Sequence, residues 1–528
     1  MPSIRIPARY RRLALLALGA GGALTLAFVS AGRAQEPPPA RLWLPALLSR
    51  APIPSPAPGS PVPTAATVRP PATTPPSATP GAAPSSSPVP TASPPPQPSA
   101  QPTSGAEACD AIASFEDGLA PRRELHVSPR GDDASGDGSP ARPFRSLGPA
   151  ARAAEPGTAI RLHAGSYAGG SYLEGLRGTA AAPIWLGGMP GEARPRVQGG
   201  GTALHLSRAA WLVVHDLELS GQSDNGINAD DGGAVADPLA AGPLIFRGLA
   251  IEQVGGGGNQ DCLKLSGIRG VLVIDSAFAR CGGGGSGSGI DMVGVHEGLV
   301  ARSRFQDLSA NAVQVKGGST DIEIRWNHML RAGERAVNMG GSTGLEYFRP
   351  PLDNTAENAE ARRVKVLANH IEGGVTPWAF VGCVDCLAAQ NTVVEPTRWL
   401  MRILQETSSQ GEFRFAPAGS GRVINNLFVF RRGQIRADVN VGAGTAPETF
   451  RFQNNLWFAV DDPGRSAPGL PVAETGGIVG RDPLLRADGA IPPGSPAVGA
   501  GWPGPWAPGD LAGACWADPP AIGAREGR

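Results

Sequence analysis

The phrase I-R-W-N-H-M-L at residues 324–330 recurs, with variation, along most of the chain. In each copy a hydrophobic segment leads to one small or polar residue and then to a second alternating segment, as in V-L-A-N-H-I at 366–371 and F-Q-N-N-L-W-F at 452–458. Successive copies place at that point the residues Asp216, Gly248, Ser276, Ser303, Asn327, Asn369, Asn391, Asn426 and Asn455. Their spacing of 22 to 42 residues indicates a solenoid, whereas a β-sandwich shows turns about every 8–12 residues. Stacked asparagines can form a hydrogen-bonded ladder, so the sequence predicts a parallel β-helix.

Both ends of this repetitive region carry further signals. The stretch L-H-V-S-P-R-G-D-D-A-S-G-D-G-S-P-A-R-P-F-R-S-L-G-P-A-A-R-A-A-E-P-G-T-A-I-R-L-H-A-G-S-Y at 125–167 resembles the N-terminal unit of secreted proteins of the pectate-lyase-like superfold. D-L-A-G at 510–513 and I-G-A at 522–524 resemble their closing segment. The resemblance spans roughly 124–526. It implies an all-β, single-stranded right-handed parallel β-helix at 105–528, with Leu147–Ala154 as a capping helix over its apolar end.

The first hundred residues differ in composition from the rest. The chain carries 46 basic and 46 acidic residues, but the part before residue 105 is basic, so the remainder is mildly acidic, which argues against a nucleic-acid binder. Four arginines and the apolar run Leu13–Val29 predict a signal peptide at 1–34, with a retained membrane anchor as the alternative. The Pro/Ser/Thr-rich stretch at 35–104 predicts a disordered linker. We therefore expect an extracellular or cell-surface monomer that meets the membrane only through an uncleaved N-terminal segment.

The chain has 6 cysteines, an even number that suits an oxidising compartment. The C-V-D-C motif at 383–386 stands alone, and a structural zinc site needs four converging ligands. A thioredoxin-like role would need a βαβ context, which this pattern lacks. The cysteines therefore indicate structural disulfides or free buried thiols, and the sequence does not decide between them.

A second repeated phrase places polar residues on one face of the predicted solenoid. It reads L-K-L-S-G at 263–267, I-D-M-V-G at 290–294, V-Q-V-K-G at 313–317 and V-N-M-G-G at 337–341. Strand alternation points the apolar residues inward, and coils stack about 4.8 Å apart. The outward residues, expected to form a polar row, are Lys264, Asp291, Gln314, Lys316, Asn338, Arg402 and Asn440. An ordinary solvated sheet face is the alternative, but the glycine after each strand is expected to leave room for a ligand.

The lysines in this row suggest a reaction. Two of the three lysines of the chain, Lys264 and Lys316, fall there although arginine is far commoner in the sequence. Lysine can lose its proton when it is buried or next to another cation, whereas arginine stays charged. Eliminative cleavage of a uronate glycan needs a base for the C5 proton and cations that neutralise the carboxylate. The residue types therefore fit a protein that acts on an acidic polysaccharide.

The stretch V-Q-V-K-G-G-S at 313–319 resembles the base-bearing strand of chondroitinase-B-like and alginate-lyase-like polysaccharide lyases. This resemblance implies a lyase with Lys316 as the base, and we expect Asn338 and Arg335 to act beside it. Residues expected to bind substrate are Lys264, Asp291, Gln314, Arg349, Arg402 and Asn440. Those enzymes carry an R-H-G strand one coil later, where this chain has V-N-M-G-G, so Arg335 or Arg349 would have to substitute from outside the register.

Three loops interrupt the regular period and are expected to overhang the row, at 223–242, 340–363 and 402–421. In the first loop, Asp224, Asp230 and Asp231 are weak calcium candidates, with a solvated acidic loop as the alternative; no other cofactor is expected. Two functions compete with the lyase. One is a non-catalytic carbohydrate-binding or adhesion β-helix. The other is a glycoside hydrolase using Asp261 and Asp291, although the N-T-D and G-H-G phrases of β-helix polygalacturonases are missing.

Overall fold

Three long parallel sheets wind around one apolar core. The computed structural model describes residues 109–504 and 506–527, so the predicted signal at 1–34 and almost all of the linker at 35–104 lie outside the described residues. Along the chain the strands visit the three sheets in a fixed order, and each strand pairs in parallel with its equivalent one coil later. This arrangement is a parallel β-helix, and it confirms the fold class that the repeated phrase predicts.

We call the three sheets the long sheet, the third sheet and the cleft sheet. The long sheet has 14 strands: Arg123–Val127, Thr158–Leu162, Ile184–Gly188, Leu212–His215, Leu244–Arg247, Arg269–Ile274, His296–Ala301, Ser319–Arg325, Ala361–Arg362, Lys365–Leu367, Cys383–Val384, Leu387–Ala389, Arg422–Ile424 and Arg451–Gln453. The third sheet has 12 strands: Ser166–Ala168, Arg196–Gln198, Glu218–Ser220, Ala250–Val254, Ala277–Cys281, Arg304–Gln306, His328–Leu330, His370–Glu372, Thr392–Val394, Leu427–Phe430, Leu456–Ala459 and Ile478–Val479.

The cleft sheet carries the polar row and has 10 strands. They are Ser171–Glu174, Leu204–Ser207, Ile227–Asp230, Leu263–Ser266, Ser288–Val293, Asn311–Lys316, Arg335–Gly340, Trp378–Val381, Trp399–Leu404 and Ala437–Val441. A separate pair, Glu357–Asn358 with Arg414–Phe415, joins two of the long loops. Short 3-10 turns lie at Leu345–Tyr347, Pro447–Thr449 and Pro463–Arg465.

A single α-helix in the described part of the chain lies at the start of the solenoid. It spans Leu147–Ala153, one residue less than the sequence predicts, and it buries Leu147 and Ala150. The helix contacts Arg123–Val127 and Ser171–Glu174, which are the terminal strands of the long sheet and the cleft sheet. It therefore covers apolar side chains that the first coil would otherwise expose.

The bend between the long sheet and the third sheet explains the first repeated phrase. One residue there adopts the left-handed conformation, for example Trp326 at φ 58° and Ala368 at φ 50°, and the asparagine follows it. The strand register shows that Asp216 and Gly248 occupy this left-handed position, one residue before the asparagine row. The sequence alignment of those two copies was therefore wrong by one residue, and Leu217 and Leu249 hold the asparagine position there.

The asparagine ladder itself is confirmed, and it lies inside the coil. The ladder runs through successive asparagines from Asn327 to Asn455. In each pair, Oδ1 of the later asparagine accepts hydrogen bonds from the backbone N and the Nδ2 of the earlier one at 2.8–3.0 Å. Glu474 ends the ladder: its Oε1 accepts from the backbone N and Nδ2 of Asn455 at 2.9 and 2.7 Å, and its Oε2 accepts from Nε1 of Trp457 at 2.7 Å. Burial raises the pKa of Glu474.

Segments from both ends of the domain cover the outer face of the long sheet. Phe115 and Trp506 pack against a second apolar cluster on that face, which includes Trp185 and Trp326. The disulfide Cys109–Cys515 joins the two segments across 406 residues. The other cysteines also form disulfides, Cys262–Cys281 and Cys383–Cys386, so the thiols are paired rather than free. Within residues 109–504 and 506–527, no helix is both long and apolar enough to cross a membrane.

Candidate functional site

The polar row on the cleft sheet is present in the register that the sequence predicts. Lys264 lies opposite Asp291, Asp291 opposite Gln314, and Gln314 opposite Asn338. Ala379 then interrupts the row before Arg402 and Asn440 continue it. Lys316 lies two residues beyond Gln314 on the same strand, so it belongs to the adjacent outward row, opposite Val293.

Asp291 is the buried centre of this row. Its side chain is 0% exposed, and its Oδ2 accepts a hydrogen bond from Nζ of Lys264. Nζ of Lys316 lies 3.5 Å from the same oxygen, and Oδ2 of Asp261 lies 3.3 Å from Nζ of Lys264. The two lysines keep 19% and 11% of their side chains exposed, while both aspartates lie beneath them. The four groups therefore form a charge cluster whose cationic side faces outward.

The two carboxyl groups of this cluster differ in acidity. Burial and then the nearby charge of Asp291 raise the pKa of Asp261 to about 7. Burial opposes ionisation of Asp291 as well, but Lys264 and Lys316 outweigh it and hold its pKa below the usual value. Burial alone would lower the pKa of Lys264, but the charges of Asp291 and Asp261 outweigh burial and raise it. At neutral pH Asp291 is thus ionised, Lys264 is protonated, and Asp261 titrates.

A cleft of about 650 Å³ opens above the two lysines. Its floor is formed by the cleft sheet, and its walls come from the loop after Asp230 and from the loop that follows the strand Arg335–Gly340. The lining includes Tyr172, His205, Ser207, Asn228, Asp230, Asp231, Lys264, Ser266, Lys316, Thr343, Tyr347 and Arg349. An open groove of this size on a row of polar side chains suits an extended hydrophilic ligand.

Arg349 forms one wall of the cleft through an ion pair with Asp231. Its Nε and Nη2 donate to the two carboxylate oxygens at 2.6 and 3.1 Å, and its Nη1 donates to the carbonyl of Tyr347 at 2.8 Å. The pair lies over Gly267 and Gly294, where a Cβ would overlap with these side chains. The expectation that these glycines leave room for a ligand is therefore wrong, because the protein's own arginine fills that space.

Glu360 links the loops at 340–363 and 402–421 to the turn after Lys316 on the cleft sheet. Its Oε2 accepts from the backbone N of Gly317 at 2.9 Å and from Oγ1 of Thr343 at 2.7 Å, and its Oε1 accepts from the backbone N of Thr343 at 2.9 Å. Oγ1 of Thr407 donates to the same Oε1. The carboxylate is fully buried, and both loops at 340–363 and 402–421 meet on it. It therefore fixes the loops relative to the turn that follows Lys316.

The remaining predicted site residues form two groups. Beside Lys316, the Gln314 and Asn338 amides and the Lys316 stem all lie within 4 Å of the point where a side chain on Gly341 would begin. Arg335 reaches this group, because its Nη1 donates to Oδ1 of Asn338 at 3.3 Å. Gln314, Asn338 and Arg335 thus lie next to Lys316, outside the lining of the cleft.

The second group lies further along the solenoid and outside the lining of the cleft. Nε of Arg402 donates to Oδ1 of Asn440 at 2.9 Å, and its guanidinium lies 4.2 Å from the ring centre of Trp399. Nη2 of Arg335 donates to Oε1 of Glu406 at 2.5 Å. Arg402 and Asn440 are therefore placed to contact only the end of a long ligand that extends beyond the cleft.

The three calcium candidates do not come together as one set of ligands. Asp224 accepts from Thr202, Asp230 is bound by His205 and Ser207, and Asp231 is paired with Arg349. In the part of the chain that the structure describes, no three His, Cys, Asp or Glu side chains are grouped so that they could hold a metal ion.

The sequence reasoning missed the N-terminal half of the cleft. Tyr172 lies opposite His205, and Asn228 lies between His205 and Lys264, so the polar row begins three coils earlier than predicted. The signal was there, since S-Y-L-E at 171–174, L-H-L-S at 204–207 and I-N-A-D at 227–230 repeat the same alternation. Tyr347 on the opposite wall was also missed, because a loop residue carries no periodic signal.

The missed side chains form a hydrogen-bonded cluster. Nε2 of His205 lies 2.6 Å from Oδ2 of Asp230, and Nδ2 of Asn228 donates to the same oxygen at 2.9 Å. Oδ1 of Asp230 accepts from Oγ of Ser207 at 3.0 Å and from the backbone N of Gly232 at 2.9 Å. All four acceptor positions of the carboxylate are thus occupied by the protein.

Comparison with protein-family models and with curated proteins finds no match. Among solved structures, the chain is similar to the pectate lyase Pel9A at 13% identity and a TM-score of 0.47, over 78% of this chain and 98% of that one. It is similar to an alginate lyase from Paenibacillus sp. str. FPU-7 at 13% identity and a TM-score of 0.37, over 61% and 99% of the two chains. For the GH136 lacto-N-biosidase from Eubacterium ramulus the identity is 16%, the TM-score 0.36 and both coverages 67%.

Proposed function

We propose that this protein is an extracellular enzyme that cleaves an acidic polysaccharide by elimination at the cleft. The observation that carries the proposal is the pair Lys264 and Lys316, whose ammonium groups contact the same buried oxygen of Asp291 while their outer sides face the cleft. Such a pair offers cations for a uronate carboxylate and, from lysine rather than arginine, a group that can act as a base.

In the proposed reaction, Nζ of Lys316 in its neutral form takes the proton from C5 of the uronate. The C5–H electron pair forms the C4–C5 double bond, the C4–O4 bond breaks, and the leaving oxygen receives a proton from water. Lys264, whose raised pKa keeps it charged, neutralises the substrate carboxylate while negative charge develops there. The Gln314 and Asn338 amides lie beside Lys316, and in this proposal they would donate hydrogen bonds to the substrate carboxylate.

Binding without cleavage is the second candidate, and one observation favours it. Nζ of Lys316 forms an ion pair with the buried carboxylate of Asp291 at 3.5 Å, which holds the lysine as a hydrogen-bond donor at the floor of the cleft. A carbohydrate-binding or adhesion protein would need only such donors. Hydrolysis through Asp261 and Asp291 has less support, because both carboxyl groups are buried beneath the lysines and face no space in which a sugar and a water could meet.

The purified protein should be incubated with polygalacturonate, alginate and glycosaminoglycans, while ultraviolet absorbance of the new C4–C5 double bond and reducing ends are followed together. Elimination produces both signals, and hydrolysis produces reducing ends alone. Binding of a glycan with neither signal would support the adhesion function for that glycan. Failure to bind or cleave any acidic glycan would refute the proposal.

Variants of the lysines separate a base from a cation. Lys316→Ala and Lys316→Arg are both expected to abolish elimination, because arginine cannot give up its proton, whereas Lys316→Arg should retain binding. The matched control is Lys365→Ala, since Lys365 lies on the long sheet, is about half exposed and pairs only with Glu323. Elimination that survives in Lys316→Arg would show that Lys316 is not the base.

A further inference from the structure

The two halves of the cleft differ in charge. In the C-terminal half, the floor carries Lys264 and Lys316. In the N-terminal half, the strands Ser171–Glu174, Leu204–Ser207 and Ile227–Asp230 contribute no lysine or arginine to the described lining. They contribute the carboxylate of Asp230 instead, and Glu174 lies exposed in the same row of outward positions. The charge along the floor therefore changes sign within the length of one cleft.

Asp230 is a fixed element of the N-terminal half. Its four hydrogen bonds come from the protein, so it has no free acceptor position for a sugar hydroxyl and acts on a ligand through its charge. A second carboxylate placed against it would be repelled, because both groups carry the same charge. A uronate ring is thus disfavoured at this position.

An exposed aromatic side chain marks the same end. Tyr172 is 57% exposed, and its ring meets the ring of His205 edge to face at a centroid distance of 4.8 Å. The aromatic face of Tyr172 is therefore held in place at the end of the cleft while it remains open to a ligand. Such a face suits the apolar C–H side of an uncharged sugar ring. His205, about a third exposed, adds a polar edge beside it.

From these observations we infer that the cleft takes a heteropolysaccharide in which uronate residues alternate with neutral or N-acylated sugars, with a neutral ring on Tyr172 and a uronate on Lys264 and Lys316. Tyr172 and Lys316 lie five coils apart, so a chain spanning both covers about 24 Å. The inference rests on the proposed function, since it specifies the substrate of that site, and it separates this protein from one built for homopolymeric uronates.

Two matched pairs of hexasaccharides test the inference by calorimetric binding to full-length Lys316→Arg protein, which keeps the positive charge at this position and is expected to leave the hexasaccharides intact. One pair compares alternating rhamnose–galacturonate with hexagalacturonate, and the other compares alternating N-acetylglucosamine–glucuronate with a homopolymeric glucuronate. In at least one pair the alternating chain should bind about tenfold tighter. Equal or tighter binding of both homopolymers would overturn the inference.

Two further substitutions in the same background locate the preference. Asp230→Asn should strengthen binding of the homopolymer several-fold, and Tyr172→Ala should weaken binding of the alternating chain about tenfold. Asp307→Asn is the control for charge, because Asp307 pairs with Arg331 just beyond the ends of two strands of the third sheet, outside the lining of the cleft. A preference that Asp230→Asn leaves unchanged would also overturn the inference.

The outcomes of this test and of the cleavage assay are separable. A preference for the alternating chain without any double-bond product would leave the inference standing and refute the lyase. Cleavage with a preference for homopolymers would support the lyase and refute the inference. If no hexasaccharide binds, the cleft does not hold a uronate chain, and both the inference and the proposed function are refuted.

Discussion

Nζ of Lys316 lies 3.5 Å from Oδ2 of Asp291, a carboxylate whose side chain is wholly buried. Strand alternation points both side chains away from the core, yet both are buried, because the two lysines cover Asp291 and Gly341 of the loop at 340–363 lies beside Lys316. Asp291 thus serves as the counter-ion beneath the lysines, and it keeps two cations together at a spacing that they would not hold alone.

Removal of this counter-ion should destabilise the fold. Asp291→Ala leaves Lys264 and Lys316 largely buried without their shared partner, and breaking a buried ion pair in this way costs about 3–5 kcal/mol. Urea unfolding should show this loss as a lower midpoint. The control Asp307→Ala removes an exposed ion pair and should cost less than about 1 kcal/mol. Similar costs for the two variants would show that Asp291 does not hold the lysines in solution.

The raised pKa of Asp261 predicts a pH-dependent difference in stability. Because the pKa is about 7 in the folded protein and near the ordinary aspartate value when unfolded, ionisation of Asp261 opposes folding above the unfolded pKa. The cost grows as the pH rises from about 4 to about 7 and is then constant. Asp261→Asn, which keeps an acceptor for the backbone N of Ser288, should therefore be more stable than the parent at pH 8, and equally stable near pH 4.

This difference is measured as the free energy of unfolding of both proteins between pH 4 and pH 9. Asp291 acts in another window, because its pKa is lowered and its contribution is lost only when the pH falls below the unfolded value. A difference between parent and Asp261→Asn that does not change with pH, or that grows toward acid, would contradict the assignment of Asp261 as the titrating group.

The sequence predicted well the features that depend on short repeated patterns of residues. The asparagine ladder and the row from Lys264 to Asn338 each follow from alternation within a strand and from repetition between coils, so one coil predicts the next. The same rule would have included Tyr172 and His205. What it cannot predict is which loop fills the space above a strand. Arg349 and Asp231 form an ion pair although they are 118 residues apart in the sequence, and no pattern within either loop predicts that contact.

The asparagine ladder should contribute strongly to stability. Asn369→Ala removes the acceptor for the backbone N of Asn327 in a fully buried place, whereas Nδ2 of Asn327 keeps the carbonyls of Val300 and Arg325. An unsatisfied buried group costs about 1–3 kcal/mol, so the unfolding free energy should fall by at least about 1 kcal/mol. Asn354→Ala is the control, since Asn354 is exposed and bonds only to Glu412. Equal stabilities of the two variants would show that the ladder is not a stabilising element.

The position of Arg349 predicts a difference between Gly233, which lines the cleft, and Gly267, which lies beneath the wall formed by Arg349. Gly267 and Gly233 both have a positive φ, of 67° and 79°, so alanine strains the backbone at either site by about 1–2 kcal/mol. A Cβ on Gly267 would also overlap with Asp231 and Arg349, whereas a Cβ on Gly233 meets no atom within 4 Å. Gly267→Ala should therefore be the less stable variant, and its loop at 340–363 should be cut faster by a protease under native conditions, because the ion pair that holds the wall is displaced. If the two variants unfold at the same urea concentration and are cut at the same rate, Arg349 does not rest on Gly267 and the wall of the cleft is held by Glu360 alone.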